Sequence, residues 1–196
     1  MKLILASASP RRRELLRLIT EDFLVHNSNA EETLPPDLSP AAAVELLARR
    51  KALSVQRQFP QDAVIGSDTV VALGGTILGK PTDPADACAM LSRLSGRSHE
   101  VFTGVCLALP NAAPHTFVSR AQVHFSPMTG EEIRAYVESG EPMDKAGAYG
   151  IQGKGARFVE QIEGDYYTVM GLPVCKLYHL MRELGLVSVP LSPHIP

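Results

Sequence analysis

Four short stretches of this chain bring together residue types that handle phosphate and a hydrolytic water. In Ser7-Ala8-Ser9-Pro10-Arg11-Arg12-Arg13 an apolar run gives way to a helix, with Ser9 as cap and Pro10 at the first helical position. Free N–H groups, the positive end of a helix dipole, the hydroxyls of Ser7 and Ser9 and up to three guanidiniums, of Arg11, Arg12 and Arg13, then converge on one anion. A capped surface helix with solvated arginines gives the same pattern. In Gly66-Ser67-Asp68-Thr69 an acid closes an apolar strand, where Asp68 is suited to hold a divalent cation or to take a proton from water. A turn aspartate bonded to its own backbone is the alternative there. Gly79-Lys80-Pro81, Lys51 and the pair Glu31-Glu32 add point charges for a triphosphate and hard ligands for magnesium or manganese, although each alone reads equally as solvated charge. In Asp144-Lys145-Ala146-Gly147-Ala148-Tyr149-Gly150-Ile151-Gln152-Gly153 the glycines allow a ligand close to the backbone, and the Gln152 amide pairs a donor with an acceptor as a base edge requires.

These residues need elements to position them. Apolar runs and cap signals predict strands over 3–6, 23–25 and 63–66, and helices over 10–19 and from 40 to about 59. Strand, tight turn and strand follow over 70–78, then a helix from 84 to the stop at Gly96. Strands over 100–109 and 116–125 read as an antiparallel hairpin, and Thr129-Gly130-Glu131-Glu132 as a capping box for a helix to about 139. The stretch 144–155 is irregular, 158–162 and 167–170 read as strands, and a last helix runs from 173 to 184. Strands alternating with helices, with one hairpin inserted, imply an α/β protein with a mixed sheet, and 196 residues suffice for one domain of two lobes around a cleft. The domain is expected over 1–189, with 190–196 a proline-rich tail expected to be disordered.

Composition narrows the function classes. A net charge of −2 and 6% aromatic residues argue against a nucleic-acid-binding surface, so phosphate recognition must be local. No apolar run approaches a membrane span, and the short apolar start gives way at once to arginines, so a cytosolic protein is expected. The three cysteines, Cys88, Cys106 and Cys175, lack pairing or zinc spacing and read as buried free thiols. The six histidines show no ligand spacing, and no serine-nucleophile elbow is present.

Taken in order, these pieces resemble the Maf family of nucleotide pyrophosphatases. The opening Ser7-Ala8-Ser9-Pro10-Arg11-Arg12 through Leu15-Leu16 is matched, as are Ala48-Arg49-Arg50-Lys51-Ala52, Gly66 to Val71, Gly79-Lys80-Pro81 with Asp83, Leu94-Ser95-Gly96-Arg97, Phe102-Thr103-Gly104-Val105, Lys145 to Gly153, and Val169 to Pro173. The resemblance implies a two-lobed fold similar to the inosine triphosphate pyrophosphatases (Maf/Ham1-like), hydrolysis of a nucleoside triphosphate to monophosphate and pyrophosphate, a divalent metal cation and a homodimer. It assigns Asp68 as the base that activates water, with Glu32 and the metal nearby. Arg12, Lys51 and Lys80 become contacts to the triphosphate, with Ser7 and Ser9 at the same anion site. Arg11, Thr69 and Gln152 match the dTTP- and UTP-hydrolysing group, whereas a sister group acting on 7-methyl-GTP has Trp, Gln and Glu there; this chain has no tryptophan. Asn29-Ala30-Glu31-Glu32 departs from the family's apolar-Asp-Glu form, which leaves open whether Glu31 or Glu32 approaches the metal. Two alternatives stand beside this: a nucleotide-binding regulator of division and septum formation, and a purine-type house-cleaning pyrophosphatase acting on 7-methyl-GTP or ITP.

Overall fold

A computed structural model describes residues 1–188 and is organised by a seven-stranded mixed sheet. β1 (Leu3–Ala6) lies parallel to its neighbours β2 (Leu24–Val25) and β3 (Ala63–Leu73). β5 (Ser98–Ala108), β6 (His115–Phe125) and β7 (Val159–Gly164) continue from β3 as antiparallel partners, in the order β2-β1-β3-β5-β6-β7. The short β4 (Thr76–Leu78) folds back on β3.

The register of β3 has one consequence for everything that follows. β5 pairs with β3 from Val64 to Ala72 along one edge. On the opposite edge β1 pairs only as far as Gly66, and β4 begins only at Val71. Between those points Ser67 to Val70 have no strand neighbour on that side, so the sheet is split beside Asp68. β1 and β4 both point their carboxyl ends at this split, and the segments that leave them begin with Ser7 and Gly79.

Helices cover both faces. α2 (Pro40–Gln56) packs Ala48, Ala52 and Val55 against Ile4, Ala6, Val64 and Cys106. On the other face α1 (Pro10–Arg17), α5 (Tyr166–Met170) and α6 (Val174–Glu183) cover Leu5, Ile65, Val105 and Leu107 with Leu15, Leu16, Met170, Leu177 and Met181. A third core joins α3 (Pro84–Leu94) and α4 (Gly130–Glu138) to Val71, Val101, Val123 and Phe125 at the far end of the long strands. α2 lies unusually close to the sheet: a Cβ on Gly66 would collide with the backbone of Ala48 and Ala52, and one on Gly104 with the backbone of Val44 and Glu45.

Several expectations need correction. The run 63–73 is one continuous strand, so Asp68 sits in mid-strand rather than at a strand end. Glycine 66 does not break the strand, because it is the residue that admits α2, and the polar side chains after it all find partners. The stretch 167–170 is helical, not a strand: Asp165 caps the turn by accepting from Tyr167 N and Thr168 N at 3.1 and 3.0 Å, and Gly171 ends it with φ 110°. Alternating apolar residues over so few positions fit either period, and the caps decide. The glycine-rich stretch contains three 3-10 turns, Glu141–Asp144, Ala146–Ala148 and Gly153–Phe158. Of the thiols only Cys106 is buried; Cys88 is half-buried and Cys175 exposed. The tail expected over 190–196 lies outside the described residues. Among the described residues no helix is long and apolar enough to cross a membrane.

Gly66→Ala tests the contact with α2. Overpacking of this kind costs about 1–3 kcal/mol, which for a domain of this length lowers Tm by about 2–4 °C per kcal/mol. Thermal melts of the variant should show that fall, and an unchanged Tm would mean that α2 does not rest on this position.

Candidate active site

Ser7, Ser9, Arg11, Arg12, Glu32, Lys51, Asp68, Thr69, Lys80 and Gln152 all line one cleft of about 800 Å³ at the split in the sheet. That size lies within the roughly 300–1,000 Å³ usual for small-molecule sites. β1 delivers Ser7 and, one turn into α1, Arg12. β4 delivers Gly79 and Lys80. α2 hangs Lys51 over β3, and the long loop after β2 brings in Glu32. Glu32 rather than Glu31 enters the cleft; at Glu31 it is the backbone carbonyl that accepts a bond, from Arg50 at 3.3 Å.

At the centre Lys51 Nζ donates to Asp68 Oδ1 at 2.5 Å and meets Glu32 Oε1 at 2.7 Å. The two acids differ in setting. Asp68 is buried at 9% exposure, whereas the Glu32 side chain is 64% exposed. The hydrogen bond from Lys51 holds the Glu32 carboxyl below the ordinary glutamate range, against the opposing effect of desolvation and with help from Lys80 and Arg12. Among the described residues no cluster of three or more His, Cys, Asp or Glu forms a cage for a metal. Two carboxylates converging on one cation are nevertheless the protein share that magnesium or manganese ordinarily takes, the remaining ligands being water and substrate phosphate. Asp68 and Glu32 fit that donor set.

Arg12 is held by an ordered chain of bonds. Its Nε donates to Gly171 O at 2.8 Å, and its Nη2 to Thr69 Oγ1 at 3.0 Å. Thr103 commits its hydroxyl proton to Thr168 O at 2.7 Å, so across the 2.8 Å Thr69–Thr103 contact Thr69 is the donor. The Thr69 hydroxyl is thus engaged on both sides. Burial pushes the Arg12 pKa down, with the charge of Asp68 opposing it, yet a guanidinium stays ionised. Ser9 caps α1 by accepting from Arg12 N at 3.4 Å, and Ser7 Oγ accepts from Ser9 N at 3.1 Å.

The cleft carries Arg11, Arg12, Lys51, Lys80 and Lys145 against Glu32, Asp68 and Asp144, so it is locally cationic in a chain of net charge −2. Its far wall is apolar, with Val71, Val101, Tyr149, Ile151 and Met170. Tyr149 is fixed there by a 2.8 Å bond between its hydroxyl and His99 Nε2. Burial lowers the His99 pKa to about 4, which leaves the ring neutral at physiological pH. Sequence reasoning did not single out Lys145, Thr103 or the His99–Tyr149 pair. Lys145 Nζ donates to Asp144 Oδ1 and Glu141 O, each at 2.6 Å. A lysine among glycines was the available signal for it; a threonine in mid-strand and a lone histidine give none.

The chain matches the family model described as Maf-like protein over residues 2–184. It is 48% identical to a dTTP/UTP pyrophosphatase of Bacillus pumilus, with 94% of this chain and 97% of that protein covered. It is 49% identical to a dTTP/UTP pyrophosphatase of Aquifex aeolicus, with 98% and 100% covered. Among solved structures, the Ham1 protein of Staphylococcus aureus has the same fold at a TM-score of 0.54 and 14% identity, with 94% of this chain and all of that one covered.

Lys51→Met leaves two carboxylates facing each other without their shared cation. The Glu32 pKa should rise toward or above the ordinary value, as read by carbon-detected NMR titration; a pKa that stays where it is would show that Lys51 does not hold it down. In the native protein the depressed value means that this pair stabilises the fold above the unfolded-state pKa of Glu32. That contribution fades as pH falls through the lower folded-state value.

Proposed function

The chain belongs to the Maf-like protein family, and we propose that it is a nucleoside triphosphate pyrophosphatase converting dTTP and UTP to the monophosphate and pyrophosphate. The observation that carries the reading is the Asp68–Lys51–Glu32 arrangement set in a cationic cleft. Close relatives named for this activity over nearly their full length supply the substrate class.

Asp68 is the base. A water oxygen forms the new bond to phosphorus, its proton passes to the Asp68 carboxylate, and the phosphoanhydride bond breaks with its electron pair leaving on pyrophosphate. Lys51 holds the Asp68 carboxylate in place before substrate arrives and is near enough to pass a donor to a phosphate oxygen when it does. Arg12 and Lys80 bind the triphosphate, with the Ser7 and Ser9 hydroxyls and the first N–H groups of α1 at the same place. Asp68 and Glu32 would hold a magnesium or manganese ion, which would supply charge neutralisation at the phosphates and a more acidic water. Little covalent help is needed, since phosphoryl transfer depends mostly on position and charge.

Selectivity for pyrimidines falls to Arg11, Thr69 and Gln152. Gln152 offers the base a paired donor and acceptor, whereas Thr69, its hydroxyl engaged by Arg12 and Thr103, acts through Arg12. We place the enzyme in the cytosol as a homodimer.

Pyrophosphate release from dTTP, UTP, CTP, 7-methyl-GTP and ITP, with and without manganese or magnesium, tests the assignment. Metal-dependent release led by dTTP and UTP is expected, and no release from any of them would reject it. Asp68→Asn should lower kcat by about 10²–10⁴-fold, the usual contribution of a general base, while nucleotide affinity stays within a small factor. Undiminished turnover would remove Asp68 from that role.

A further inference from the structure

Gln152 stands on a loop, and loops do not hold a side chain in place by themselves. This loop is tied down at two points on either side of Ile151 and Gln152, and both ties end on the same pair of side chains. Upstream, Gly150 N donates to Tyr136 Oη at 3.2 Å. Downstream, Lys154 N and Gly155 N donate to Glu141 Oε2 and Oε1 at 2.9 and 3.1 Å. Tyr136 Oη in turn donates to Glu141 Oε1 at 2.9 Å, which closes the circuit. Tyr136 is fully buried, and neither it nor Glu141 lines the cleft.

The surroundings leave the clasp little room to relax. A Cβ on Gly155 would collide with Gly150 O and the Tyr136 hydroxyl, so the two arms of the loop touch there. The loop is also bonded to the segment that carries Lys80, through Gly147 N to Gly79 O at 2.9 Å. Every partner of the Glu141 carboxylate is a donor: two backbone N–H groups and one phenol. Desolvation acts to raise its pKa, but these bonds outweigh it and the net shift is downward, so the group is ionised at neutral pH.

We propose that Glu141, together with Tyr136, is a positioning residue for base selectivity: the pair fixes residues 151 and 152 against the cleft without touching the nucleotide. This rests on the reading that Gln152 meets the base.

Glu141→Gln is the discriminating variant. It keeps size and shape, yet its NH₂ must face one of the N–H or O–H donors that the carboxylate now satisfies. One of the two N–H groups of the downstream arm, Lys154 N or Gly155 N, thereby loses its acceptor. With one charge-assisted bond lost, KM for dTTP and UTP should rise by at least about tenfold. Preference for UTP over CTP should shrink correspondingly, with kcat nearly unchanged and the affinity for inorganic pyrophosphate, read by calorimetry, equal to that of the wild type. Tyr136→Phe should shift KM in the same direction by less, since it removes one arm but leaves Glu141 its two N–H partners. Unchanged UTP-over-CTP preference in a folded Glu141→Gln protein would overturn the proposal. So would an equal loss of affinity for pyrophosphate, which would indicate general loosening of the cleft. Wild-type turnover in the same assay separates this from the functional reading. If the wild type were inactive on every triphosphate, that reading would fail, and calorimetric affinities for dTMP, UMP and CMP would still decide whether the clasp governs base preference.

Discussion

The contact of α2 with β3 and β5, backbone against backbone at Gly66 and Gly104, is the constraint on which the cleft depends. Residues 66 and 68 of β3 face the same side of the sheet. A helix seated on Gly66 therefore passes directly over Asp68. Lys51 lies one position before Ala52, which covers that glycine, and its ammonium reaches the Asp68 carboxylate without extending into solvent: the Lys51 side chain is only 14% exposed. A side chain at position 66 would lift the helix and lengthen the ion pair. The pairing is thus a product of main-chain packing, and it orients the Asp68 carboxylate before any ligand is present.

The second condition is the split in the sheet. An unbroken partner strand along β3 would saturate the backbone of residues 67–70 and shut the site. Here β1 stops at Gly66 and β4 starts at Val71, and both strands aim their exits at the gap. Groups suited to an anion arrive from both directions as a result: the capped start of α1 with Arg12 from one, Lys80 from the other. Arg12 would be costly to bury alone, and its bonds to Gly171 O and Thr69 offset part of that cost. Because Thr69 and Thr103 pass the hydrogen bonds on to Thr168 O, the same polar chain holds α5 against the sheet. Stability of that corner and orientation of the guanidinium are one feature.

Much of this was legible in the sequence because the relevant signals are local. Ser9-Pro10, Ser39-Pro40 and Asp83-Pro84 each mark a helix start, and the structure begins α1, α2 and α3 there. The residues expected at the site do share one cleft. What the sequence concealed depends on pairing between distant segments. Gly-Ser-Asp-Thr has turn composition and suggests a strand terminus at Asp68, and only the register with β5 and the approach of α2 make it mid-strand. The stretch 167–170 suggests a strand because four residues cannot establish a period, while Asp165 and Gly171 act as caps only once the chain has turned. Thr103 and Glu141 escaped notice for a related reason: each works through another residue, and neither carries a spacing that points to its partner.

The cleft therefore has two halves built on different principles. On the side proposed for the triphosphate Asp68, Lys51 and Arg12 stand on a strand and two helices whose packing is set by three apolar cores, and their geometry is rigid because those cores are. On the side proposed for the base Gln152 is exposed on a loop fastened by three hydrogen bonds to Tyr136 and Glu141, which are bonded to each other, with Gly147 resting on Val71 beneath it. Triphosphate is common to every nucleotide, so a rigid site for it costs no selectivity. The base differs between nucleotides by single donors and acceptors, and there the fold relies on a segment that a few polar bonds hold in register. On the proposed roles, changes confined to those bonds would alter which base is accepted and leave the chemistry at Asp68 as it was.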